Sequence, residues 1–168
     1  MNMTAVTIGV GRCASLAIEA ANRCRQFTGL DVVILNESHQ RRYRVAEPHH
    51  LKFHLFDILR DADRILYFDS DLWFVADWNP ELFSSLSAVR DNEFYEGTQR
   101  ECERFGLPLD RYFNSGLFII DRQHVGVLQT AKSLCEQQGV TSIWRDQTWL
   151  NLAAKQCGVS VNLIHRAH

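Results

Sequence analysis

Residues 64–71 read Arg-Ile-Leu-Tyr-Phe-Asp-Ser-Asp, and this stretch decides the fold class. A short, continuous apolar run is typical of a strand that is covered on both faces, so we predict a strand over residues 64–69. Asp69 and Asp71 end it, and residues i and i+2 of an extended chain point to the same side. Ligands of open α/β sheets bind at the carboxyl ends of the strands. The two carboxylates are therefore expected to converge on one ligand, for which a divalent cation is the obvious choice.

An acidic pair at the end of a strand also occurs simply as turn residues. Here apolar residues continue directly after the pair, over residues 72–75. The carboxylates thus interrupt a hydrophobic segment, where charged groups need a partner. This context favours a ligand site over a plain turn.

Strand-like and helix-like segments alternate on both sides of this stretch. Strands are predicted over residues 4–10, 31–36, 64–69, 87–90, 112–121 and 159–164. Helices are predicted over residues 13–26, 48–60 and 145–156, from residue 125 onwards, and briefly after Asn79, with residues 97–105 helical or irregular. Residues 37–47 show neither the helical nor the strand periodicity of apolar residues and are predicted to be an arginine-rich loop. This alternation predicts a single α/β domain over residues 1–168 with a mainly parallel sheet flanked by helices.

Composition excludes several classes of protein. The chain has 168 residues, of which 46% are hydrophobic and 23% charged, so a disordered or fibrous protein is excluded. A formal net charge of -2 leaves no basic excess for general nucleic-acid binding. The five cysteines are scattered without a Cys-x-x-Cys pair, as is typical of reduced thiols, and no segment is long and apolar enough for a bilayer. A cytoplasmic protein is expected.

Two further polar groups are expected at the same edge of the sheet. Asn114, Ser115 and Gly116 open a buried strand, and Asp146 and Gln147 stand where a helix is predicted to begin. The first group could also be a polar strand entry with a glycine bulge, and Asp146 could simply stabilise the helix dipole.

Two basic residues are weaker candidates. Arg12 follows Gly9-Val-Gly11 and could meet a phosphate or ribose at the end of the first strand. Lys52 lies on the helix before the third strand, where a solvated helix face is a serious alternative.

Three segments, in this order, resemble signatures of glycosyltransferases of family 8, of the glycogenin and bacterial galactosyltransferase type. They are residues 62–71 (Ala-Asp-Arg-Ile-Leu-Tyr-Phe-Asp-Ser-Asp), 113–121 (Phe-Asn-Ser-Gly-Leu-Phe-Ile-Ile-Asp) and 146–151 (Asp-Gln-Thr-Trp-Leu-Asn). The resemblance extends from about residue 48 to residue 162. It implies a minimal GT-A fold, which is Rossmann-like, and a hexosyltransferase that moves a sugar from a nucleotide diphosphate sugar, such as a UDP-hexose, to an acceptor with retention.

The resemblance also implies roles for individual residues. Asp69 and Asp71 would bind Mn2+, or Mg2+ in its place, against the donor diphosphate. The donor or its sugar would be contacted by Lys52, Asn114, Ser115, Gly116, Asp146 and Gln147. Gly9, Arg12 and Ser70 are further candidates for contacts with the donor. Asp146 would hold sugar hydroxyls, and Gln147 would lie near the reacting carbon, as a nucleophile or as support for a same-face substitution.

The sequence departs from the family pattern in two places. The loop after the first strand lacks the acidic and aromatic residues that hold the nucleotide base in relatives. The identity of the base is therefore not indicated by the sequence. Relatives supply a third metal ligand, a histidine, from a later motif, for which His165 or His168 could substitute. Relatives also close a C-terminal segment over the donor. Cover is expected here from the second copy of a homodimer or from a loop carrying Arg41, Arg42 and Arg44.

Three alternatives stay open at this point. A nucleotidyltransferase would explain Gly9-Val-Gly-Arg12, although the sequence lacks a longer glycine-rich loop with a downstream lysine. A phosphatase with an Asp-x-Asp nucleophile would place that motif after the first strand, with Thr or Val where Trp73 stands. The third alternative is a sugar-nucleotide-binding module with little turnover.

Overall fold

The computed structural model describes residues 2–137 and 142–164 of the chain. Six strands form one sheet in the order β2-β1-β3-β5-β4-β6. They are β1 (Met3–Ile8), β2 (Val32–Leu35), β3 (Arg64–Phe68), β4 (Leu86–Arg90), β5 (Phe113–Asp121) and β6 (Asn162–Ile164). β5 is antiparallel to its neighbours β3 and β4, whereas the other three pairings are parallel. Five strands therefore run in one direction, which confirms the expected mainly parallel α/β sheet.

Helices connect the strands. They are α1 (Ala14–Thr28), α2 (Glu37–Tyr43), α3 (Leu55–Ile58), α4 (Glu96–Phe105), α5 (Val125–Gln137) and α6 (Asp146–Gln156). Short 3-10 turns stand at Gly11–Cys13, Pro48–His54, Pro80–Leu82, Leu109–Arg111 and Arg122–His124. All strands and most helices lie within a few residues of their predicted positions. β1 ends two residues early, at Ile8, and β6 begins at Asn162 rather than at residue 159.

The sheet is covered on both faces, as the apolar run of β3 predicts. All five residues of β3 are buried. Ile65 and Tyr67 face one core together with α5 and α6, and Leu66 and Phe68 face a second core together with α1. Successive side chains of a strand point to opposite faces, so burial of the whole run requires a layer on each side.

The prediction of a loop over residues 37–47 is wrong, because Glu37–Tyr43 forms helix α2. The side chain of Asn36 accepts a hydrogen bond from the backbone N–H of Ser38, and the His39 side chain accepts one from the backbone N–H of Asn36. This reciprocal capping starts a short helix that has no apolar stripe to reveal it. In the sequence, the start of this helix was indicated by Asn36, a residue type that favours the N-cap position, followed by the acidic Glu37.

The helix predicted over residues 48–60 is also partly wrong. The segment is a 3-10 turn over Pro48–His54 followed by the single-turn helix α3, which ends at Ile58. The four consecutive residues from Leu51 to His54 are buried, and an α-helix on a sheet surface cannot bury every side of one turn. This enclosed segment carries Lys52 into the interior.

The cysteines agree with the expectation of free thiols, since all five lie in the described residues and none forms a disulfide. Within residues 2–137 and 142–164, none of the helices combines the length and apolar character needed to cross a bilayer. The prediction of one domain over residues 1–168 stays a prediction.

Candidate active site

The candidate site is centred on the ammonium group of Lys52, whose side chain is only 3% exposed. Its Nζ lies 2.8 Å from Oδ2 of Asp146 and 3.3 Å from Oδ1 of Asp69. It also donates to the backbone oxygen of Ser115 at 3.1 Å, and it lies 4.6 Å from the centre of the Tyr67 ring. A solvated helix face is therefore excluded for Lys52. One buried cation joins the end of β3, the start of β5 and the first turn of α6.

The charge of Lys52 is maintained by its two carboxylate neighbours. Burial by itself opposes the charged form and lowers the pKa of Lys52, but Asp146 and Asp69 outweigh this effect and raise the pKa above its ordinary value. Lys52 is thus a cation over the whole physiological pH range. An unpaired ammonium in this place would cost several kcal/mol, so the three charges stabilise one another only as a set.

Asp69 and Asp71 stand at the expected edge of the sheet, but their relative geometry differs from the prediction. The chain turns immediately after β3, because the backbone N–H of Leu72 donates to the backbone oxygen of Asp69 at 3.1 Å. Ser70 and Asp71 are therefore turn residues, and the extended i, i+2 arrangement is wrong. Asp69 is partly buried and Asp71 is exposed, so the turn sets an anchored carboxylate beside one that is open to solvent.

Asp69 is held in place by hydrogen bonds. The Tyr67 hydroxyl donates to its Oδ1 at 2.6 Å, and its backbone N–H donates to the Gly116 oxygen at 2.7 Å. Burial, and then the charge of Asp69, raise the pKa of Tyr67 well above its ordinary value, so the hydroxyl stays protonated and remains a donor. The second carboxylate oxygen of Asp69, Oδ2, would lie 2.7 Å from a Cβ added at position 116. Glycine is thus required there for the Asp69 carboxylate to keep its place.

Asp146 and Gln147 begin α6, as predicted, and both are buried. Asp146 Oδ2 accepts hydrogen bonds from Lys52 and, at 2.8 Å, from the Ser115 hydroxyl. The preceding residue, Arg145, has a φ of 51°, which is a strained backbone conformation for a residue with a side chain. A plain helix-dipole role does not explain this burial. The tight entry into α6 instead aims both side chains at the Lys52 ammonium and β5.

β5 contributes Asn114, Ser115 and Gly116 to the same site. The backbone N–H of Ser115 donates to Gln147 Oε1 at 3.1 Å, and that of Gly116 donates to Asn114 Oδ1 at 2.7 Å. One turn further along α6, Asn151 donates to the Phe113 oxygen at 2.9 Å and accepts from its N–H at the same distance. The start of β5 is therefore fastened to α6 by side-chain amides. The pairing of β4 with β5 also shifts register here, from Ala88 opposite Phe118 to Arg90 opposite Phe113, so the strand irregularity that was the alternative reading is present as well.

Asp91 is the functional candidate that the sequence reasoning missed. It follows β4 directly, and its Oδ2 accepts from Gln147 Nε2 at 3.1 Å and from the Thr98 hydroxyl at 2.9 Å. Its Oδ1 accepts from Asn114 Nδ2 at 3.4 Å. Asp91 thereby sets the orientation of both amides. The available signal was an acidic residue at the carboxyl end of a strand, which is the same signal that pointed to Asp69.

Gly9 and Arg12 lie at the end of β1, at the same edge of the sheet but in a different setting. Gly9 is buried, and a Cβ there would lie 2.7 Å from the Cβ of Ala17, so its glycine is explained by packing of β1 against α1. Arg12 is exposed. The backbone N–H of Gly11 donates to the Glu37 carboxylate at 2.7 Å, and this bond lowers the pKa of Glu37. The structure brings together Lys52, Asp69, Asn114, Ser115, Gly116, Asp146 and Gln147. Among the described residues, no hydrogen bond or ion pair connects Gly9 or Arg12 to this group.

A family model described as glycosyl transferase family 8 matches residues 5–156. The chain belongs to that family. A comparison with curated proteins found no match. Membership confirms the resemblance drawn from the three sequence segments and identifies the chain as a glycosyltransferase that uses a nucleotide-sugar donor and an acceptor. The six-stranded α/β sheet agrees with the GT-A fold of this family.

Family 8 enzymes commonly depend on a divalent metal, and the donor set of this glycosyltransferase fits one. Asp69 and Asp71 are hard oxygen ligands, as Mn2+ and Mg2+ require, and the space beside Asp69 Oδ2 is kept open by Gly116. Among residues 2–137 and 142–164, no group of three or more His, Cys, Asp or Glu residues could form a complete metal site. The candidate third ligands, His165 and His168, lie outside the described residues.

The arginines proposed as a lid lie at the end of α2 in this family 8 chain. Arg41 and Arg42 occupy its last turn, and Arg44 is the residue that caps it. All three are exposed. The segment is fastened at this end, because Gln40 Nε2 donates to the Ala46 oxygen at 3.0 Å. A lid would therefore require α2 to move as a helix rather than as a loose loop.

Proposed function

We propose that the chain transfers a hexosyl group from a UDP-sugar to an acceptor with retention, with Mn2+ or Mg2+ held by Asp69 and Asp71. The observation that carries the proposal is the buried Lys52 ammonium, which joins Asp69 to Asp146 and Ser115. This connection puts the proposed metal-binding and sugar-binding groups into one rigid cluster. A site for sugar transfer needs that arrangement, because the bond that breaks joins the sugar to the diphosphate.

The cation would be held by Asp69, whose carboxylate is anchored, and by Asp71, whose carboxylate is exposed. When bound, such a cation neutralises the negative charge that develops on the diphosphate. The residues of the chain do the remaining work. Lys52 and the Tyr67 hydroxyl orient Asp69, and Gly116 leaves room beside it.

The donor sugar is proposed to lie against Asn114, Asp146 and Gln147. Asp146 and the two amides supply acceptors and donors for sugar hydroxyls, and Asp91 orients the amides. In the transfer, the acceptor oxygen bonds to the anomeric carbon while the bond from that carbon to the diphosphate oxygen breaks. UDP leaves with the electron pair of that bond, and the proton of the acceptor hydroxyl passes to the diphosphate.

The alternative functions are less well supported by the site. Membership of family 8 favours sugar transfer over nucleotidyl transfer. The Asp-x-Asp phosphatase alternative places its motif after the first strand of the sheet, but Asp69 and Asp71 follow β3. A module that only binds sugar nucleotides would use the same residues, so this alternative is distinguished by turnover rather than by geometry.

The decisive experiment is calorimetry of UDP binding with and without Mn2+, together with UDP release from UDP-glucose and UDP-galactose. We expect Mn2+-dependent UDP binding that is abolished in the double variant Asp69→Asn, Asp71→Asn. Asp110→Asn removes an exposed carboxylate from the Leu109–Arg111 turn and serves as the matched control. Binding that is unchanged in the double variant would reduce the motif to a turn, and binding without any UDP release would favour the module.

A further inference from the structure

Glu101 is a buried acidic residue that the proposed chemistry does not use. It lies on α4, and only 1% of the residue is exposed. Its Oε2 accepts a hydrogen bond from the Ser142 hydroxyl at 2.7 Å and another from the Thr148 hydroxyl at 2.8 Å. Burial of a carboxylate costs free energy, and an apolar residue of similar size fills the same space at a lower cost. The carboxylate of Glu101 therefore needs an explanation beyond packing.

The two hydroxyl donors flank the pair of residues that begins α6. Ser142 stands four residues before Asp146, and Thr148 directly follows Gln147. One oxygen of Glu101 thus joins the chain before the pair to the chain after it. The side chains of Asp146 and Gln147 leave the backbone between these two points of attachment. Glu101 can therefore set the direction of both side chains through the backbone.

The backbone between the two points of attachment is strained. Arg145, directly before Asp146, has a φ of 51°. Its backbone N–H donates to the Ser142 oxygen at 3.4 Å and closes the turn that enters α6. A left-handed residue with a side chain costs about 1–3 kcal/mol and persists only where its surroundings hold it. The hydrogen bond from Ser142 to Glu101 holds the first residue of this turn.

The same helix, α4, supports the entry into α6 in two further ways. The Trp144 ring packs against Gly97, where an added Cβ would lie 3.1 Å from the ring. The Thr98 hydroxyl donates to Asp91, which in turn accepts from the side-chain amide of Gln147. The backbone of the turn and the Gln147 amide are thus both held from α4.

The acceptor character of Glu101 fixes the direction of a longer chain of hydrogen bonds. The Thr148 hydroxyl has one hydrogen and donates it to Glu101, so its oxygen accepts from the Tyr112 hydroxyl at 3.0 Å. Burial raises the pKa of Tyr112, which keeps that hydroxyl protonated and therefore a donor. Tyr112 directly precedes β5. A group that only accepts thus imposes one arrangement on α4, α6 and the start of β5.

We infer that Glu101 is a positioning residue for sugar transfer, which acts through Ser142 and Thr148 to aim Asp146 and Gln147 at the donor sugar. The inference rests on the proposed function. Loss of Glu101 should change what the sugar contributes to donor binding and to turnover. It should leave the binding of UDP itself largely intact, because the proposed metal ligands follow β3 and belong to a different segment.

The test compares Glu101→Ala with the wild-type protein in the presence of Mn2+. Calorimetry gives the affinities for UDP and for whichever of UDP-glucose and UDP-galactose binds more tightly. We expect unchanged affinity for UDP, and a ratio of the two affinities that shifts about tenfold against the sugar nucleotide. The kcat for UDP release should fall by about 10- to 100-fold. The backbone amide of Gln147, which donates to the Trp144 oxygen, should exchange its hydrogen faster.

Three kinds of variant serve as controls. Glu103→Ala removes an exposed carboxylate from the same helix and should change none of these quantities. Glu101→Gln keeps an oxygen that can accept from both hydroxyls, so it should restore the affinity ratio to within about threefold of the wild-type value. Ser142→Ala and Thr148→Val each remove one donor and leave Glu101 in place. They should shift the ratio in the same direction, and they replace Glu101→Ala if that variant does not fold.

The outcomes separate the positioning role from the proposed function. Failure of the wild-type protein to bind UDP with Mn2+ would contradict the proposed function. Normal binding with an unchanged affinity ratio in Glu101→Ala would overturn the positioning role, even if the Gln147 amide exchanged faster. Equal losses of affinity for UDP and for the sugar nucleotide would also overturn it, because a general loss of structure has that effect. A Glu101→Gln variant as impaired as Glu101→Ala would exclude a mechanism through the two hydroxyls.

Discussion

The two halves of the candidate site are built differently. The cluster on the side proposed for the sugar, called the sugar-side cluster, is closed by hydrogen bonds among β3, β5, α6 and the end of β4; it is formed by Lys52, Asp69, Asp91, Asp146 and Gln147. The loop on the side proposed for the nucleotide, residues 9–13, is short, and Arg12 on it is exposed. One half is organised before any ligand binds, and the other presents side chains to solvent.

This difference has an energetic reason. Charged and amide groups can be buried only if each finds a partner, so the sugar-side cluster is stable only as a complete set. A preorganised set of dipoles and charges costs little reorganisation during the reaction, which is an advantage next to the reacting carbon. Exposed groups such as Arg12 need no partner within the protein. They contribute to ligand binding through a charge that solvent and salt screen.

The largest effect is expected from removing the central cation of the sugar-side cluster. Lys52→Met leaves Asp146 buried without its closest cation, and breaking a buried pair of this kind typically costs about 3–5 kcal/mol. The free energy of unfolding, measured in urea, should fall by that amount. Because the pKa of Lys52 is raised, the contribution of this charge is present at all pH values below the ordinary lysine range and is lost only as the pH rises above it.

Lys132→Met is the matched control for Lys52→Met. Lys132 is 42% exposed and pairs with Glu136 on the surface of α5, so its loss should change the free energy of unfolding by less than about 1 kcal/mol. Equal effects of the two substitutions would show that the Lys52 cluster contributes no more than a surface pair.

A smaller effect is expected from Asp91→Asn, which keeps the size of the side chain. The amide nitrogen of asparagine would face either the Asn114 or the Gln147 donor, and the amide that it faces would lose its fixed orientation. We expect kcat for sugar transfer to fall by about 10- to 100-fold, with little change in the affinity for UDP. Asp110→Asn is the control, and a KM effect without a kcat effect would contradict the positioning role.

Gly116→Ala tests the space beside the proposed metal ligand. The added methyl group would lie 2.7 Å from Asp69 Oδ2 and 2.8 Å from Asn114 Oδ1, so both side chains must shift. We expect Mn2+-dependent UDP binding, measured by calorimetry, to weaken by about tenfold, which is close to 1.4 kcal/mol.

Gly126→Ala provides the control for the added methyl group. A Cβ at position 126 meets no atom within 4 Å, and alanine favours the helix there. This variant should bind UDP normally and be slightly more stable. Normal binding by Gly116→Ala as well would show that the carboxylate of Asp69 does not depend on this space.

The smallest effect is expected on the nucleotide side. Arg12→Ser removes an exposed charge near the end of β1, so UDP affinity should fall only about threefold, and less at high salt. Arg60→Ser, which removes another exposed arginine, should have no effect on UDP affinity. If Arg12→Ser weakened UDP binding as much as Gly116→Ala does, the nucleotide side would depend on individual side chains as strongly as the sugar side.

Local patterns in the sequence were sufficient for the fold class and for much of the site. The apolar run before Asp69 predicted a strand covered on both faces, because burial leaves a signal within a few residues of each position. Asn114 was also expected at the edge of Asp69, but it stands at the start of β5 and reaches that edge because β5 is antiparallel to β3, which the sequence did not reveal. Gly29, with a φ of 70°, ends α1 at Thr28, two residues beyond the predicted end at residue 26.

Tertiary structure decided what depends on residues far apart in the chain. Lys52 meets Ser115 across 63 positions, and Gln147 meets Asp91 across 56. Nothing near Lys52 or Asp91 in the sequence reports these partners, so Lys52 resembles a surface lysine and Asp91 shows only its place at the end of a strand. The turn that separates Asp69 from Asp71 is likewise set by a hydrogen bond to Leu72 and by the pairing of Asp69 with Gly116. The sequence determined which chemical groups reach this edge of the sheet, and packing of distant segments determined which of them are buried together and therefore act as one site.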